Sequence, residues 1–437
     1  PFGTYRIPSL GAQGANVTAE DLAALFDANA PTPLAPRLAK LNAASITAPE
    51  VIAEHTVAER TQRIVYKNVT LANVVGGKAE KITIAGADLD ATDPQAGRMR
   101  AVYGPMSARA VDLALAARIF TEKANAGEAR APLYTDFAVD GVQMSSDKLD
   151  FDVRMARMTG SGVKARPLAQ GFPAMMELAA KGAEAKSNPA AKPEPKVVAT
   201  LIADLFDAFE FGVMETTGFT GAFKDKDGKP FTMSMARMVF GPYAAGRLNE
   251  MAYEGLKVEG DGVKVGMGGL AIRGLDLSNP LRIAGLTAQG DPMALQNPRD
   301  AIPTIAQFVV SGLDLDVAAK DGKGNAENGA RTRAQLGKFQ FDGANYLQGI
   351  PTKLALAVEK LVFDLNSSAS DPRLRELAGL GLKRVNASAR IAAAWDEPKQ
   401  ELSLDDASFE GERLGQIKLG LTAGNVGKEL CSGNAAS

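Results

Sequence analysis

Cysteine is almost missing from these 437 residues: Cys431 stands alone in the C-terminal stretch GKELCSGNAAS. A single thiol excludes a disulfide framework and a cysteine-ligated metal site. Its simplest reading is a free thiol at a chain end; the sharper one is an intermolecular disulfide. Histidine is as scarce, with His55 the only one. It falls in an expected strand, and no G-x-S-x-G elbow accompanies it, so a histidine triad or a shared-histidine metal site lacks its parts. No run of about 18 apolar residues occurs, so no membrane-spanning helix is expected. Neither sign of charge dominates: 49 Lys+Arg against 51 Asp+Glu leave a net charge of −2. Without a basic stripe, nucleic acid is not expected as a partner.

What is present is an ordinary apolar share of 46 %, enough for a sizeable core in a chain long enough for two or three domains. Pro1 stands where an initiating methionine would. Together with scarce cysteine and abundant Ala, Gly and Asp, this fits an exported bacterial protein whose signal peptide or anchor has been removed. The stretch GAEAKSNPAAKPEPK (Gly182–Lys196) has no large apolar residue and reads as a linker or long loop. It divides an N-terminal half (1–182) from a C-terminal half (197–430), with 183–196 between them and a flexible tail at 431–437.

One phrase recurs: apolar–x–apolar–x–Gly–x–x–apolar. It is densest in Met251–Ala288, where Met251, Tyr253, Gly255 and Val258 make one copy and Leu270, Ile272, Gly274 and Leu277 another. Period-two alternation marks half-buried strands. The apolar positions on either side of the glycine have opposite parity, so a straight strand would point them to opposite faces. A bulge or sharp bend at a left-handed glycine restores one face; the alternative is a turn into a neighbouring strand. Further copies surround Asn68, Gly86, Gly141, Gly312, Gly343 and Gly411, with a looser one at Leu281–Ala288 around Gly285. Asparagine is the best non-glycine residue for a left-handed position.

Helices alternate with these strands. Thr18 is the expected N-cap of a helix through Leu22, Leu25 and Phe26, and Leu34–Leu41 forms a second. Ser107 caps one through Val111–Phe120, Val197–Phe209 is another, and further helices start near 300 and at Asp371. Five helix-plus-hairpin units follow, beginning near 18, 107, 197, 300 and 371.

Motifs that could carry chemistry reduce to turns. Ser145-Ser146-Asp147-Lys148 spells S-x-x-K but lies at a hairpin, without the companion S-D-N and K-T-G elements. The acidic loops KDKDGK, EGDG and DGKGNAENG miss the calcium-loop spacing. Glycines 266, 268 and 269 precede a strand, so they do not cradle phosphate. The apolar helix faces Val111–Phe120 and Val197–Phe209, and the paired methionines of Pro173–Leu178, read first as core packing. The sharper reading is a groove for an acyl chain.

The last unit, KLALAVEKLVFDLNSSASDPRLRELAGLGLKRVNASARIAAAWDEPKQELSLDDASFEGERLGQIKLGL, resembles the helix-plus-hairpin modules of AsmA-like and related uncharacterised bacterial cell-envelope proteins. The resemblance lies in the short helix, LGL, alternating strand, W-D-x-x, alternating strand, x-G order. It covers mainly 350–422 and carries no catalytic residues. It implies a periplasmic, β-rich, non-enzymatic protein associated with lipid handling or envelope maintenance.

The expectation is therefore an α+β protein of long, curved, mostly antiparallel sheets built from degenerate helix–hairpin repeats, with helices on one side. A curved apolar face would hold lipid or another apolar ligand, first through Tyr253, Leu256, Val258, Leu270, Ile272, Leu275 and Leu277. No cofactor or metal is expected. The competing expectation is an interaction protein that binds a partner or a second copy through sheet edges or apolar helix faces.

Overall fold

The computed structural model describes residues 4–27, 30–57, 60–93, 97–185, 188, 192–225, 227–289, 298–320, 326–365, 376, 378–379, 381 and 382–428. Two compact units divide the chain: Pro1–Phe219 with Phe240–Arg247 and Pro280–Gln296, and Thr220–Val239 with Leu248–Asn279 and Asn297–Ser437. Cys431 and most of the helix expected from Asp371 lie outside the described residues.

The chain runs β1 (Thr4–Arg6), β2 (Gly11–Gln13), α1 (Ala19–Phe26), α2 (Leu34–Leu38), β3 (Ala43–Val57), β4 (Arg60–Val75), β5 (Lys78–Ile84), β6 (Gly86–Asp93), β7 (Gly97–Tyr103), β8 (Met106–Asp112), α3 (Leu113–Thr121), β9 (Ala131–Ser146) and β10 (Phe151–Ala165). It continues with α4 (Phe172–Glu184), α5 (Pro195–Ala208), β11 (Phe209–Glu210), β12 (Met214–Lys224), β13 (Pro230–Phe240), β14 (Tyr243–Ala244), β15 (Arg247–Gly260), β16 (Val263–Asp276) and α6 (Ser278–Gln289). β17 (Thr304–Lys320), β18 (Ala326–Leu347), β19 (Ile350–Asp364), β20 (Arg384–Asp396), β21 (Glu401–Gly411) and β22 (Gly415–Ala423) complete it. This is an α+β fold with a large antiparallel sheet and a handful of helices packed to one side.

In the first unit β3 pairs with β1, β2 and β4, and β4 passes from β6 to β5 along its length. β6 pairs with β7 and β5 with β8; both arms meet β9, which pairs with β10. The second unit is a meander, β16 through β22, each strand paired to the next.

The expected left-handed backbone is present at Asn68 (φ 50°), Gly141 (85°), Gly255 (66°), Gly274 (60°) and Gly312 (60°). At four of them, Asn68, Gly141, Gly274 and Gly312, the extra residue of a bulge is absent. Register is unchanged past Asn68, Gly141, Gly274 and Gly312, so each interruption omits one residue on both strands. The reason is that the interruptions line up. In the first unit Pro49, Asn68 and Ala85 fall level on successive strands, one residue along Gly86, Gly104, Gly141 and Ala156 do so too, and Gly218 faces Ala156. In the second, Gly268, Gly312, Gly337 and Lys360 do the same. Apolar phase slips at that row on every strand: Leu270 and Ile272 against Val263 and Val265, Phe308 and Val310 against Leu313 and Leu315, Phe339 and Phe341 against Ala334 and Leu336. Strands that slip together stay in register.

At two of the glycines in these rows backbone approaches closely: a Cβ on Gly104 would sit 1.9 Å from the Asp140 carbonyl oxygen, and one on Gly337 3.0 Å from the Glu359 carbonyl oxygen. Gly86, Gly343 and Gly411 are not left-handed; Asn345 and Arg413, two residues past the latter two, are instead. The looser copy at Leu281–Ala288 is no strand at all, since Gly285 lies inside α6. Nor does an α-helix start near 300: Pro298–Ala301 is one 3-10 turn, and Pro303 precedes a strand.

Among the helices, Thr18 caps α1 as expected, with a full capping box to Asp21. Ser107 does not cap α3. It lies in β8, paired to Thr83 and Ala138, and the cap is Asp112, whose carboxylate accepts from Leu115 N at 2.8 Å. Strand pairing on both sides outweighed the local cap signal. The helices bury their apolar sides on the sheet: Leu25 packs on Leu41, Ile46 and Val74, and Leu115 and Ile119 meet Ala165. α5 is tied down by Arg166, whose Nη2 donates to Asp204 (2.8 Å) and Asp207 (2.7 Å), while Ala169 N donates to Asp204 (2.7 Å). The clustered core of the second unit is smaller, formed by Val239, Ala252 and Ala271.

Three outcomes are expected in urea unfolding followed by circular dichroism. Gly104→Ala destabilises by about 2 kcal/mol or more, an overpacking cost where backbone must move. Gly285→Ala in α6 stabilises by about 1 kcal/mol, as for a helical glycine whose added Cβ meets nothing within 4 Å. Asp204→Ala costs about 3 kcal/mol, because it leaves Arg166 without one partner of a pair whose side chains are only 11 % and 9 % exposed.

Candidate functional site

The second unit carries an apolar face that its register makes continuous. Ile272 stands opposite Phe308, Phe308 opposite Phe341, and Phe341 opposite Leu356. Leu356 in turn opposes Ile391, Ile391 opposes Ala407, and Ala407 opposes Leu419. Two residues along, a parallel row runs Leu270, Val310, Phe339, Val358, Ala389, Phe409 and Ile417. Directly opposed residues share a face, so seven strands present two adjacent apolar rows on one side. The rings of Phe308 and Phe339 meet edge-on at 6.0 Å. Exposure is greatest at the last strands: Ile391 is 46 % exposed, Phe409 36 %, Ile417 58 % and Leu419 60 %.

The intervening residues show the opposite chemistry. Arg273 donates from Nε to Glu250 (2.8 Å) and from Nη1 to Gln307 (2.6 Å); Gln307 donates to Asp342 (2.7 Å), as does Gln340 (2.6 Å). A polar chain therefore crosses four strands next to the apolar rows, alternating with them along each strand.

Leu270 and Ile272 head the two apolar rows. Leu275 lies beyond Gly274, opposite Ile305, and Leu277 lies past the end of β16, outside the ladder. Tyr253, Leu256 and Val258 sit half-buried on β15, where the Tyr253 carbonyl oxygen faces Gly269. Of the expected residues, Leu270 and Ile272 thus mark one border of a larger surface. Its other members, Phe308, Phe341, Leu356, Ile391 and Leu419, each belong to an alternating run; only the strand register joins them.

The first unit holds a separate apolar cleft of about 830 Å³. Tyr5, Leu10 and Leu25 line it from the N-terminal segments, Val51 and Val69 from the sheet, and Phe120 from α3. The Val111–Phe120 segment supplies one wall, and Phe120 is 51 % exposed. The extended lead-in, which alternation alone does not mark as a wall, supplies another. Arg37 at its border is turned to backbone, donating to the Asp27 and Pro33 carbonyls at 3.1 and 3.3 Å. A smaller cavity of about 340 Å³ is walled by Phe206, Phe209, Phe211 and Tyr243. Burial pushes the Tyr243 phenol above its usual range, and its hydroxyl donates to the Phe206 carbonyl at 2.9 Å.

The motifs weighed for chemistry are turns where described. Ser146 Oγ accepts from Leu149 N at 3.1 Å in the β9–β10 turn, and Asp225 accepts from the amides of Asp227 and Lys229. The 321–325 part of the glycine-rich loop lies outside the described residues. His55 lies on β3, its ring edge-on to Tyr5 at 5.8 Å. Among the described residues no group of three His, Cys, Asp or Glu side chains could hold a metal ion. No family model matches this chain, and no curated protein matches it in sequence.

The cleft's α1 wall depends on an ionised cap. Backbone and hydroxyl hydrogen bonds from Thr18 hold the Asp21 carboxyl below the usual aspartate range. A lowered folded-state pKa stabilises fully above the unfolded value and is lost as pH falls through the folded one. Amide protection in the first turn of α1 is therefore expected to fall in that acidic window by hydrogen exchange, and Asp21→Asn to remove the pH dependence.

Proposed function

We propose that this is a non-enzymatic protein of the bacterial periplasm that holds a lipid or another apolar ligand against the seven-strand apolar face. The observation that carries the reading is the pair of unbroken apolar rows from β16 to β22, half-buried at one end and open at the other. Seven strands span about 29 Å at the usual strand spacing, close to the thickness of a bilayer's hydrocarbon core, about 30 Å. Each square ångström of acyl chain laid there gains about 25 cal/mol. The feature offers contact area instead of a convergent set of reactive groups, which supports binding over catalysis. Composition and the resemblance to envelope modules support the compartment. A second reading, association with a protein partner or a second copy, is supported by the open edge at β22.

Native mass spectrometry and lipid extraction of the purified protein test the proposal, together with titration of a fluorescent fatty acid. Ile391→Glu places a charge at the centre of the face on a residue already 46 % exposed, and is expected to leave the melting temperature unchanged while weakening the fatty acid roughly tenfold, the cost of one desolvated charge against an apolar chain. No co-purifying lipid and no fatty-acid binding would sink the reading.

A further inference from the structure

Among the described residues β22 is the outermost strand of the second unit's meander, and it is built unlike a protected edge. β22 pairs with β21 along Gly415–Ala423, and eight of its nine residues are exposed. Its apolar side chains Ile417, Leu419 and Leu421 are 58 %, 60 % and 65 % exposed, and they stand opposite Phe409, Ala407 and Leu404 as the last members of the apolar face. Soluble proteins blunt such edges with very short strands, proline or several charges. The first unit does so: β1 and β2, which lie along β3, have three residues each. β22 has nine residues, no proline and one charge, Lys418.

We propose that β22 pairs antiparallel with β22 of a second copy of this chain, with Leu419 opposite Leu419 on the two-fold axis. The sequence GQIKLGLTA suits that register. Leu419 is the midpoint of Gly415–Ala423, so all nine residues overlap. Ile417 then faces the partner's Leu421, Gln416 the partner's Thr422, and Lys418 the partner's Gly420. Every apolar residue meets an apolar one on one face, and the single cation meets a residue without a side chain. Moving the axis to Lys418 would set lysine against lysine, a destabilising like-charge pair. Moving it to Gly420 would drop two residues from the overlap. The match is isologous, as a two-fold interface requires, and the nine paired residues extend the ladder over about 30 Å.

The test uses the full chain, stripped of lipid, so that its outcome is separate from that of the ligand reading. Analytical ultracentrifugation across a wide concentration range should show a monomer–dimer equilibrium. Leu419→Lys sets two lysines face to face and should weaken the dimer at least tenfold, a lower bound for like charges brought together at an interface; at 60 % exposure it leaves the monomer's melting temperature unchanged. Register is read independently in a Cys431→Ser background with a short bis-maleimide crosslinker. Leu419→Cys should couple to itself. Ile417→Cys alone should not, but mixed with Leu421→Cys it should couple to that variant. A monomer at every concentration, a dimer that Leu419→Lys leaves intact, or a different coupling pattern would each overturn the proposal.

Discussion

Backbone hydrogen bonding between strands sets the terms for everything else in this molecule. A strand that changes which parity faces the apolar side must either break register with its neighbours or persuade them to change with it. Here the neighbours change. Asn68 lies level with Ala85 in one unit, and one residue along Gly86, Gly104 and Gly141 lie level with each other, as do Gly268, Gly312 and Gly337 in the other unit, so the ladder resumes in the same register beyond each row. The requirement is collective, which explains why the small residues recur across the chain: one full-sized side chain facing a carbonyl, as at Gly104, would obstruct the whole row. Where register does shift, as between Val358 and Leu361 on β19, the left-handed residue is Lys360, whose amide donates to the Ser388 hydroxyl at 3.0 Å. That is an ordinary bulge, and it sits at the end of the second row.

Keeping register keeps chemistry sorted. Because phase slips together, Phe308 stays opposite Phe341 and Gln307 opposite Asp342, and the apolar and polar sets do not mix. In the first unit the apolar side is paid for by helices: α1 and α3 bury Leu41, Val74 and Ala165. Among the described residues of the second unit Val239, Ala252 and Ala271 form a buried cluster, with Leu365, Val385 and Trp395 also buried, while the rows from Ile272 to Leu419 remain half-buried to open. Exposed apolar surface of that extent marks a place where something binds, and the ligand and dimer readings are two answers at different places along it.

The strands, their alternation and the left-handed positions at Asn68, Gly141, Gly255, Gly274 and Gly312 were legible because they are local. Asn68 in the glycine slot and Thr18 at the cap each carry their own conformational reason. Misreadings arose where a non-local contact outbid a local signal. Ser107 has the chemistry of a cap but is held in β8 by β5 and β9. The parity around Gly285 mimics the strand phrase, yet Ile283 and Leu286, three residues apart, also suit one side of α6, and a single short apolar run does not separate the two periods. The site was half legible for a related reason. Leu270 and Ile272 could be singled out from their own strand, but nothing along the chain says that Ile391 and Leu419, more than a hundred residues later, continue their row. Register is a property of pairs of strands.

The same reasoning separates Leu419 from the other residues of its row. Ile272, Phe308, Phe341, Leu356 and Ile391 each have a strand on both sides, so their exposure concerns only the face. Among the described residues Leu419 has a paired strand, β21, on one side only, and on the other side the outward amides and carbonyls of β22 also need partners. An apolar ligand can cover the face but offers no hydrogen bonds to that edge. Another strand satisfies the edge and lengthens the face in one step. A second β22, opposed about Leu419, would continue both apolar rows across the axis without a change of chemistry.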